Sequence, residues 1–462
     1  KLSTYDINFD KGLISLQSNS IPELRISLIP DQFVRPEPIP SAIKDAIENI
    51  IKSKFSPSAI VDFLLRKSPR FIDGSKLTIV KDDLSGNKLI NEIIKVVDKL
   101  DNSYLCIQGP PGSGKTFTAC HIIKNLISKG KRIGISSNSH KAIVNLMDGA
   151  SNLILKDSID GNLIKVGGDS EDQIFTKENV FFRKNANDCN KDLTLSPICF
   201  GGTAWFFCND ILIQNNIKKF DFLFIDEAGQ VPIANLIGMS RIAKNIILMG
   251  DQMQLGQPIQ GSHPNNSGDS ILEYLLQEKS TIPTNMGIFL PKTYRMHPDI
   301  CDLISNLVYD TRLSSAEVTK RHIVNISKEI LPIKHGIYFI PVIHEGNSQG
   351  SEEEANVIAE LAEKLINCPF WSKNTNEKKR LIDWHDMLFV APYNYQVNLL
   401  KNKLNSNAKV GSVDKFQGQE APIVIISMTS SDSDSLPRNK EFFFNRNRLN
   451  VAVSRAQVVS II

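Results

Sequence analysis

The sequence predicts an α/β protein whose core is two parallel sheets flanked by helices, and three observations predict it. First, from about residue 103 the chain repeats an apolar strand, a loop and an amphipathic helix: Tyr104-Leu105-Cys106-Ile107 is followed by Ile122, Ile123, Leu126 and Ile127 at helical spacing. Second, the same rhythm returns in Gly336-Ile337-Tyr338-Phe339-Ile340, Met387-Leu388-Phe389-Val390 and Ile423-Val424-Ile425-Ile426. Strands alternating with helices bury both faces of a sheet, which requires parallel pairing. Third, 41% hydrophobic and 22% charged residues exclude disordered and low-complexity classes, so these strands have a core to enter.

Taken in order, the chain opens with short β-like runs at Leu13-Ile14-Ser15-Leu16 and Leu24-Arg25-Ile26-Ser27-Leu28-Ile29. Pro36, Pro38 and Pro40 form a joint, and Ser41 reads as the N-cap of a helix carrying Ile43, Ala46, Ile47, Ile50 and Ile51. Ser56-Pro57 opens a second helix, and Leu89, Ile90, Ile93, Ile94, Val97 and Leu100 line a third. Ile133-Gly134-Ile135, Phe222-Leu223-Phe224-Ile225 and Ile246-Ile247-Leu248-Met249 are further strands, the last two ending in acidic chemistry. This divides the chain into an accessory region over 1–75 and two α/β domains over 76–290 and 291–462.

The 462 residues carry 53 Lys and Arg against 50 Asp and Glu, a balance that neither demands nor forbids a nucleic-acid partner. None of the seven cysteines forms a Cys-x-x-Cys pair, which argues against zinc and iron–sulfur sites. Cys106 and Cys120 lie in apolar runs and read as reduced core thiols of a cytoplasmic protein. No apolar run approaches the ~20 residues that span a bilayer, and no leader pattern is present, so no membrane partner is expected. The ends, Lys1 and an apolar run closing at Ile462, read as cuts in a longer protein.

Gly109-Pro110-Pro111-Gly112-Ser113-Gly114-Lys115-Thr116 fits G-x-x-x-x-G-K-T between a strand and a helix. Glycines let successive N–H groups turn inward around a phosphate chain, and the helix N-terminus adds positive dipole. Lys115 reaches the β- and γ-phosphates in such a loop and the Thr116 hydroxyl ligates Mg²⁺. Asp226-Glu227 directly follows a strand, where a parallel sheet presents its ligand crevice. Alone, that pair is an ordinary solvated turn; with the loop it reads as a metal-holding Asp226 and a water-orienting Glu227. Gly250-Asp251-Gln252-Met253-Gln254-Leu255 is a second acidic strand end, with Gln254 able to donate to a γ-phosphate. His297 by itself reads as a hydrogen-bonded core residue, and Phe442-Phe443-Phe444 as packing.

Together with Tyr294-Arg295-Met296-His297-Pro298, Val413-Asp414-Lys415-Phe416-Gln417-Gly418-Gln419-Glu420 and Leu449-Asn450-Val451-Ala452-Val453-Ser454-Arg455, these segments resemble a superfamily 1 helicase over about residues 100 to 457. The wording is similar to the 5′→3′ branch that includes the nonsense-mediated-decay helicases and the Okazaki-fragment nuclease–helicases. Gln260-Gly261-Ser262-His263-Pro264 and Gly287-Ile288-Phe289-Leu290 look like bacterial helicase modules fused to a RecB-like nuclease, which allows for a nuclease domain in the full-length chain.

The resemblance implies two RecA-like P-loop domains with ATP and Mg²⁺ between them. It implies that Gly109, Gly112, Ser113, Gly114, Lys115 and Thr116 cradle the phosphates, Tyr294 stacks on adenine, Glu420 holds the ribose, and Arg295 and Arg455 contact the γ-phosphate. Ser137, Asn138, Thr203 and Trp205 match the first domain's strand-gripping loops, and Pro392, Tyr393 and Ser412 the second's. The implied activity is an ATP-dependent helicase or translocase on single-stranded nucleic acid, DNA before RNA. An RNA helicase or ribonucleoprotein remodeller, and a nucleotide-controlled binding switch, are the alternatives. The family's adenine-reading Gln upstream of the P-loop has no counterpart between residues 71 and 107, and Gln254-Leu255-Gly256 stands where it has Gln-Leu-Pro.

Overall fold

A computed structural model describes residues 3–8, 13–17, 35–77, 86–214, 217–256, 263–371, 380–416, 418–431 and 445–462. The run Leu24 to Ile29, Gln260 to Ser262, Gln417 and Phe442 to Phe444 lie outside the described residues. The chain divides into two compact units, Lys1–Glu37 and Pro38–Ile462. In the first, β1 (Ser3–Asn8) and β2 (Leu13–Gln17) form an antiparallel hairpin that places Ile7 opposite Ile14.

The second unit opens with α1 (Ile39–Lys52), two residues before the expected cap at Ser41. Pro40 sits in the first turn, where its missing N–H costs nothing, so the proline starts the helix that it was expected to precede. In α2 (Ala59–Leu64) the cap is Ser58, whose Oγ accepts from the Val61 N–H over 3.4 Å, not Ser56. Ile39, Ala42, Ile60, Val61 and Phe63 are buried in one core with Tyr104, and Phe63 meets the Tyr104 ring edge-on at 5.7 Å. The helices of 38–75 therefore belong to the first lobe's packing, and the expected accessory region does not extend across them. The apolar face of α3 (Gly86–Asp98), with Leu89, Ile93 and Val97, covers the other side of the same sheet.

The first lobe is an all-parallel eight-stranded sheet. Its strands are β3 (Tyr104–Gln108), β4 (Arg132–Ser136), β5 (Asn162–Val166), β6 (Val180–Arg183), β7 (Ile198–Gly201), β8 (Phe220–Ile225), β9 (Ala243–Gly250) and β10 (Gly287–Phe289). Their spatial order is β10-β3-β9-β8-β4-β7-β5-β6. Every residue of β3 and β4 is buried, as the expected apolar runs require. Because β3, β9 and β8 are neighbours, the loops at their carboxyl ends share one crevice, although they are far apart in sequence.

A joint connects the lobes: β11 (Lys292–Thr293) pairs with β12 (Ser314–Ser315), flanking α9 (Pro298–Val308). Outside the main sheets, β13 (Ile323–Val324), β15 (Pro369–Trp371) and β16 (Arg380–Leu381) make a small antiparallel sheet. The second lobe is a parallel five-stranded sheet of β14 (Gly336–Tyr338), β17 (Met387–Val390), β18 (Lys409–Gly411), β19 (Ala421–Ile426) and β20 (Ala456–Ile461). They run in the order β14-β20-β19-β17-β18, with α10 (Glu352–Leu365) and α11 (Asn394–Lys403) packed over them. A last helix, α12 (Arg446–Val453), leads into β20. The fold class is thus α/β with two helix-flanked parallel sheets. The seven cysteines are buried free thiols, and among the described residues no helix is long and apolar enough to cross a membrane.

Candidate active site

The loop 109–114 leaves β3 and enters α4 (Lys115–Ser128). Gly112 and Gly114 have φ of +70° and +82°, a backbone state that only glycine adopts without strain. A Cβ on Gly109 would lie 2.2 Å from Lys115 Cγ, so the loop closes tightly around the lysine. Lys115 Nζ folds back onto the Gly109 carbonyl over 2.6 Å. Among the described residues no side chain caps α4, and the buried Ser113 Oγ has no hydrogen-bond partner. A ring of uncapped N–H groups, an unmet hydroxyl and a lysine held by a single carbonyl fits a phosphate chain.

Asp226 follows β8, its N–H donating to the Ser136 carbonyl over 2.8 Å, and Glu227 turns the chain with φ +52°. Burial, then the charge of Glu227, holds the Asp226 carboxyl well above the ordinary carboxylate range, with Lys115 pulling the other way. Two acids forced together in a buried crevice favour a cation, and Asp226 with the exposed Thr116 hydroxyl is a hard oxygen donor set suited to Mg²⁺.

The second lobe meets this loop directly. The Tyr294 N–H donates to the Gly112 carbonyl over 2.8 Å, and Thr293 Oγ1 to the Pro111 carbonyl over 2.9 Å. The Tyr294 hydroxyl accepts from the Gly86 N–H over 3.1 Å. Arg295 Nε donates to Glu420 Oε2 over 2.5 Å and Gln457 Nε2 to Glu420 Oε1 over 2.9 Å. Glu420, expected at the ribose, thus accepts from Arg295 through one oxygen and from Gln457 through the other. Arg455 is buried, with one Nη1–H···O=C bond to Gln419 over 3.3 Å, while its Nε and Nη2 find no hydrogen-bond partner among the described residues. Burial first, and then the charge of Arg295, brings its pKa down to about 9, with Glu227 of the first lobe opposing. Gln254 is buried and donates to Asp251 Oδ2 over 2.9 Å.

Residues 88–192 match one family of AAA domain, and residues 267–462 match a second family of AAA domain. The chain carries two AAA-domain regions. Curated relatives agree with that reading. The "DNA replication ATP-dependent helicase/nuclease JHS1" of Arabidopsis thaliana is 26% identical over 84% of this chain and 29% of its own length. The "DNA replication ATP-dependent helicase/nuclease dna2" of Schizosaccharomyces pombe is 26% identical over 98% and 31%. The "DNA polymerase alpha-associated DNA helicase A" of the same yeast is 28% identical over 76% and 59%. The chain spans less than a third of the first two proteins. A crystal structure of the arterivirus nonstructural protein 10 helicase has a TM-score of 0.41 at 16% identity, covering 80% of this chain and 61% of that one, too loose a match to carry weight. The superfamily 1 helicase resemblance holds.

The remaining expected residues follow the carboxyl ends of other strands of the two sheets. Ser137, which is buried, and Asn138 follow β4, and Thr203 and Trp205 follow β7, its parallel neighbour, so both loops emerge at one edge. The Asn138 amide donates to the Gln230 carbonyl, and the Trp205 indole is 41% exposed on α6 (Ala204–Phe207). Pro392 and Tyr393 follow β17 and Ser412 follows β18, where Val390 pairs with Gly411. The expectation for His297 is met: its Nδ1 accepts from the Asp299 N–H over 3.3 Å at the start of α9. Missed from sequence were Tyr309 and Asn450, buried polar groups bonded to the Gly250–Gln254 loop. A readable signal existed for Asn450, an amide inside an apolar helical run, since buried amides are nearly always bonded.

Proposed function

We propose that this chain is an ATP-dependent helicase or translocase module acting on single-stranded nucleic acid, DNA before RNA, moving 5′→3′. The observation that carries the reading is Arg455: a buried guanidinium from the second lobe, with two of its nitrogens unmet among the described residues, in the field of Glu227 from the first. Such a group is costly unless an anion arrives between the lobes. Relatives named as DNA helicases support the nucleic-acid partner, and helicase/nuclease relatives of more than three times the matched length support a nuclease domain in the full protein.

In this reading Lys115 and the loop N–H groups bind the β- and γ-phosphates, and Glu227 orients and accepts a proton from the attacking water. Mg²⁺ held by Thr116 and Asp226 would neutralise charge on those phosphates. Arg295, fixed by Glu420, and Arg455 stabilise charge on the transferring phosphoryl only while the lobes are closed. Hydrolysis removes the bridging γ-phosphate, the lobes part, and loops around Asn138, Thr203 and Trp205 exchange grip with those at Pro392, Tyr393 and Ser412.

The test is steady-state ATPase with single-stranded DNA, single-stranded RNA or neither, followed by unwinding of duplexes with a 5′ or a 3′ overhang. DNA-stimulated turnover with 5′-overhang unwinding is expected. Preferential RNA stimulation would move the substrate to RNA, and stimulated turnover without strand separation or translocation would reduce the module to a switch.

A further inference from the structure

Behind the cleft, the two lobes are joined by buried polar side chains that the phosphate chemistry does not use. The Tyr309 phenol, fully buried at the end of α9, donates its O–H to Asp251 Oδ2 over 2.7 Å. Asn450, in α12, donates Nδ2–H to the Tyr309 oxygen over 2.9 Å and to the Met253 carbonyl over 2.7 Å. One turn earlier on the same helix, Asn447 donates to the Gln252 carbonyl over 2.9 Å. Gln254 Nε2 donates to the same Asp251 oxygen that Tyr309 holds. A continuous path thus runs from Gln254 through Asp251, Tyr309 and Asn450 into the helix that ends two residues before Arg455.

The direction of each bond is fixed. A carboxylate oxygen only accepts, so the phenol must donate to Asp251 and its lone pair is left for the Asn450 amide. Full burial holds the Tyr309 phenol neutral, far above its ordinary pKa, so this donor is not lost to ionisation. Among the described residues, the buried Asn450 Oδ1 has no hydrogen-bond partner. An apolar residue would remove that unmet oxygen but leave the Met253 carbonyl and the Tyr309 oxygen without the amide's donors, so the bonds rather than packing account for an amide here.

We propose that Tyr309 and Asn450 are positioning residues that set Gln254 of one lobe and Arg455 of the other together, so that both γ-phosphate contacts form or fail as a unit. This rests on the ATPase reading above. Opening the cleft separates α12 from the Gly250–Gln254 loop, breaks the Asn450 bonds and frees Asp251 and Gln254 to shift; closing restores both ends at once.

The experiment uses the full 462-residue chain. Tyr309→Phe keeps the ring and its packing and removes one O–H. The readouts are ATPase kcat and KM at saturating single-stranded DNA, equilibrium binding of a fluorescent ATP analogue, and thermal unfolding. Because an Å-scale misplacement of a reacting group costs up to about a hundredfold in rate, Tyr309→Phe is expected to lower kcat about tenfold to a hundredfold, with KM, analogue binding and melting near wild type. Asn450→Ala should give the same split, and the double variant should be no slower than the worse single, as for residues acting in one unit.

Wild-type kcat in Tyr309→Phe, or a loss seen only as lower melting temperature or weaker ATP binding, would overturn the relay. If wild type hydrolyses ATP, Lys115→Ala does not, and Tyr309→Phe matches wild type, the relay alone is lost. If wild type shows no hydrolysis under any condition, the enzymatic reading falls and the relay falls with it.

Discussion

The backbone N–H of Tyr294 is bonded to the carbonyl of Gly112 over 2.8 Å, so the phosphate loop of one lobe is stitched to the aromatic–arginine turn of the other. Gly112 is where that stitch leaves no room. Its φ is +70°, and an added Cβ would lie 2.5 Å from Arg295 Cβ and 2.7 Å from Thr293 Oγ1. Gly112→Ala must therefore push the second lobe's turn off the loop, besides a backbone cost of about 1–2 kcal/mol for a non-glycine residue in the left-handed region. The expected outcome is a folded protein with the wild-type circular dichroism spectrum, retained ATP-analogue binding and strongly reduced hydrolysis. Wild-type turnover in Gly112→Ala would mean that this contact is no part of the working cleft.

Lys115 and Arg455 should separate binding from turnover. Lys115 is the loop's own cation, so Lys115→Ala is expected to abolish both ATP binding and hydrolysis. Arg455 reaches the site from the second lobe, and arginines supplied in this way are worth about a thousandfold or more in rate. Arg455→Ala should keep analogue binding and lose turnover to that extent. Its stability should fall only modestly, because the packing lost with the side chain is offset by removal of a buried guanidinium whose Nε and Nη2 meet no hydrogen-bond partner among the described residues. A thermal melt beside the rate measurement checks this, and an Arg455→Ala that hydrolyses ATP at the wild-type rate would contradict a two-lobed site.

The parts of the fold that sequence made legible are those where one residue type has few uses. A G-x-x-x-x-G-K-T segment after a buried strand, an Asp-Glu pair after another and paired apolar rhythms led to two parallel sheets, and β3, β9 and β8 do bring Lys115, Gln254 and Asp226 to one edge. Less legible were features decided by tertiary packing. Ile43 and Ile50 read as the face of a helix in an accessory region, although they pack against the first lobe's core, because nothing local says which sheet an amphipathic helix will cover. The ribose role of Glu420 is implied by resemblance alone, and nothing in a polar loop before a strand hints that Arg295, 125 positions earlier, will bond to it. Tyr309 lies outside every motif, and only the fold shows that its hydroxyl meets Asp251.

His297 makes the stability of the joint depend on pH. Its ring is buried, its Nδ1 accepts the Asp299 N–H, and it stacks on His335 at 4.1 Å. Burial first, then the charges of His335 and His322, against the opposing pull of Asp299, lowers its pKa from 6.5 to about 4. The unfolded chain therefore binds this proton more readily than the folded one between pH 6.5 and 4. Stability from His297 is complete above 6.5, falls as pH drops through that window and has no more to lose below 4. His297→Asn keeps a side-chain acceptor at the helix start and removes the titration. The variant's melting temperature should fall less than wild type's from pH 6.5 to 4, and equal slopes would show that the ring titrates as in an unfolded chain.

Trp205 is where a nucleic-acid contact can be told from packing. Its neighbours Phe206 and Phe207 are buried in a ring cluster with Phe200 and Phe220, while Trp205 itself is 41% exposed. An aromatic needed only for the core would point the way its neighbours do. Stacking one base on such a ring is worth about 1–3 kcal/mol, so Trp205→Ala should weaken single-stranded DNA binding roughly fivefold to 150-fold at fixed salt, for any sequence. Fluorescence anisotropy with a labelled oligonucleotide measures this, and basal ATPase and melting temperature should not change, because Trp205 is exposed while its neighbours Phe206 and Phe207 carry the buried packing. A variant that melts early yet binds DNA as tightly as wild type would return Trp205 to the core.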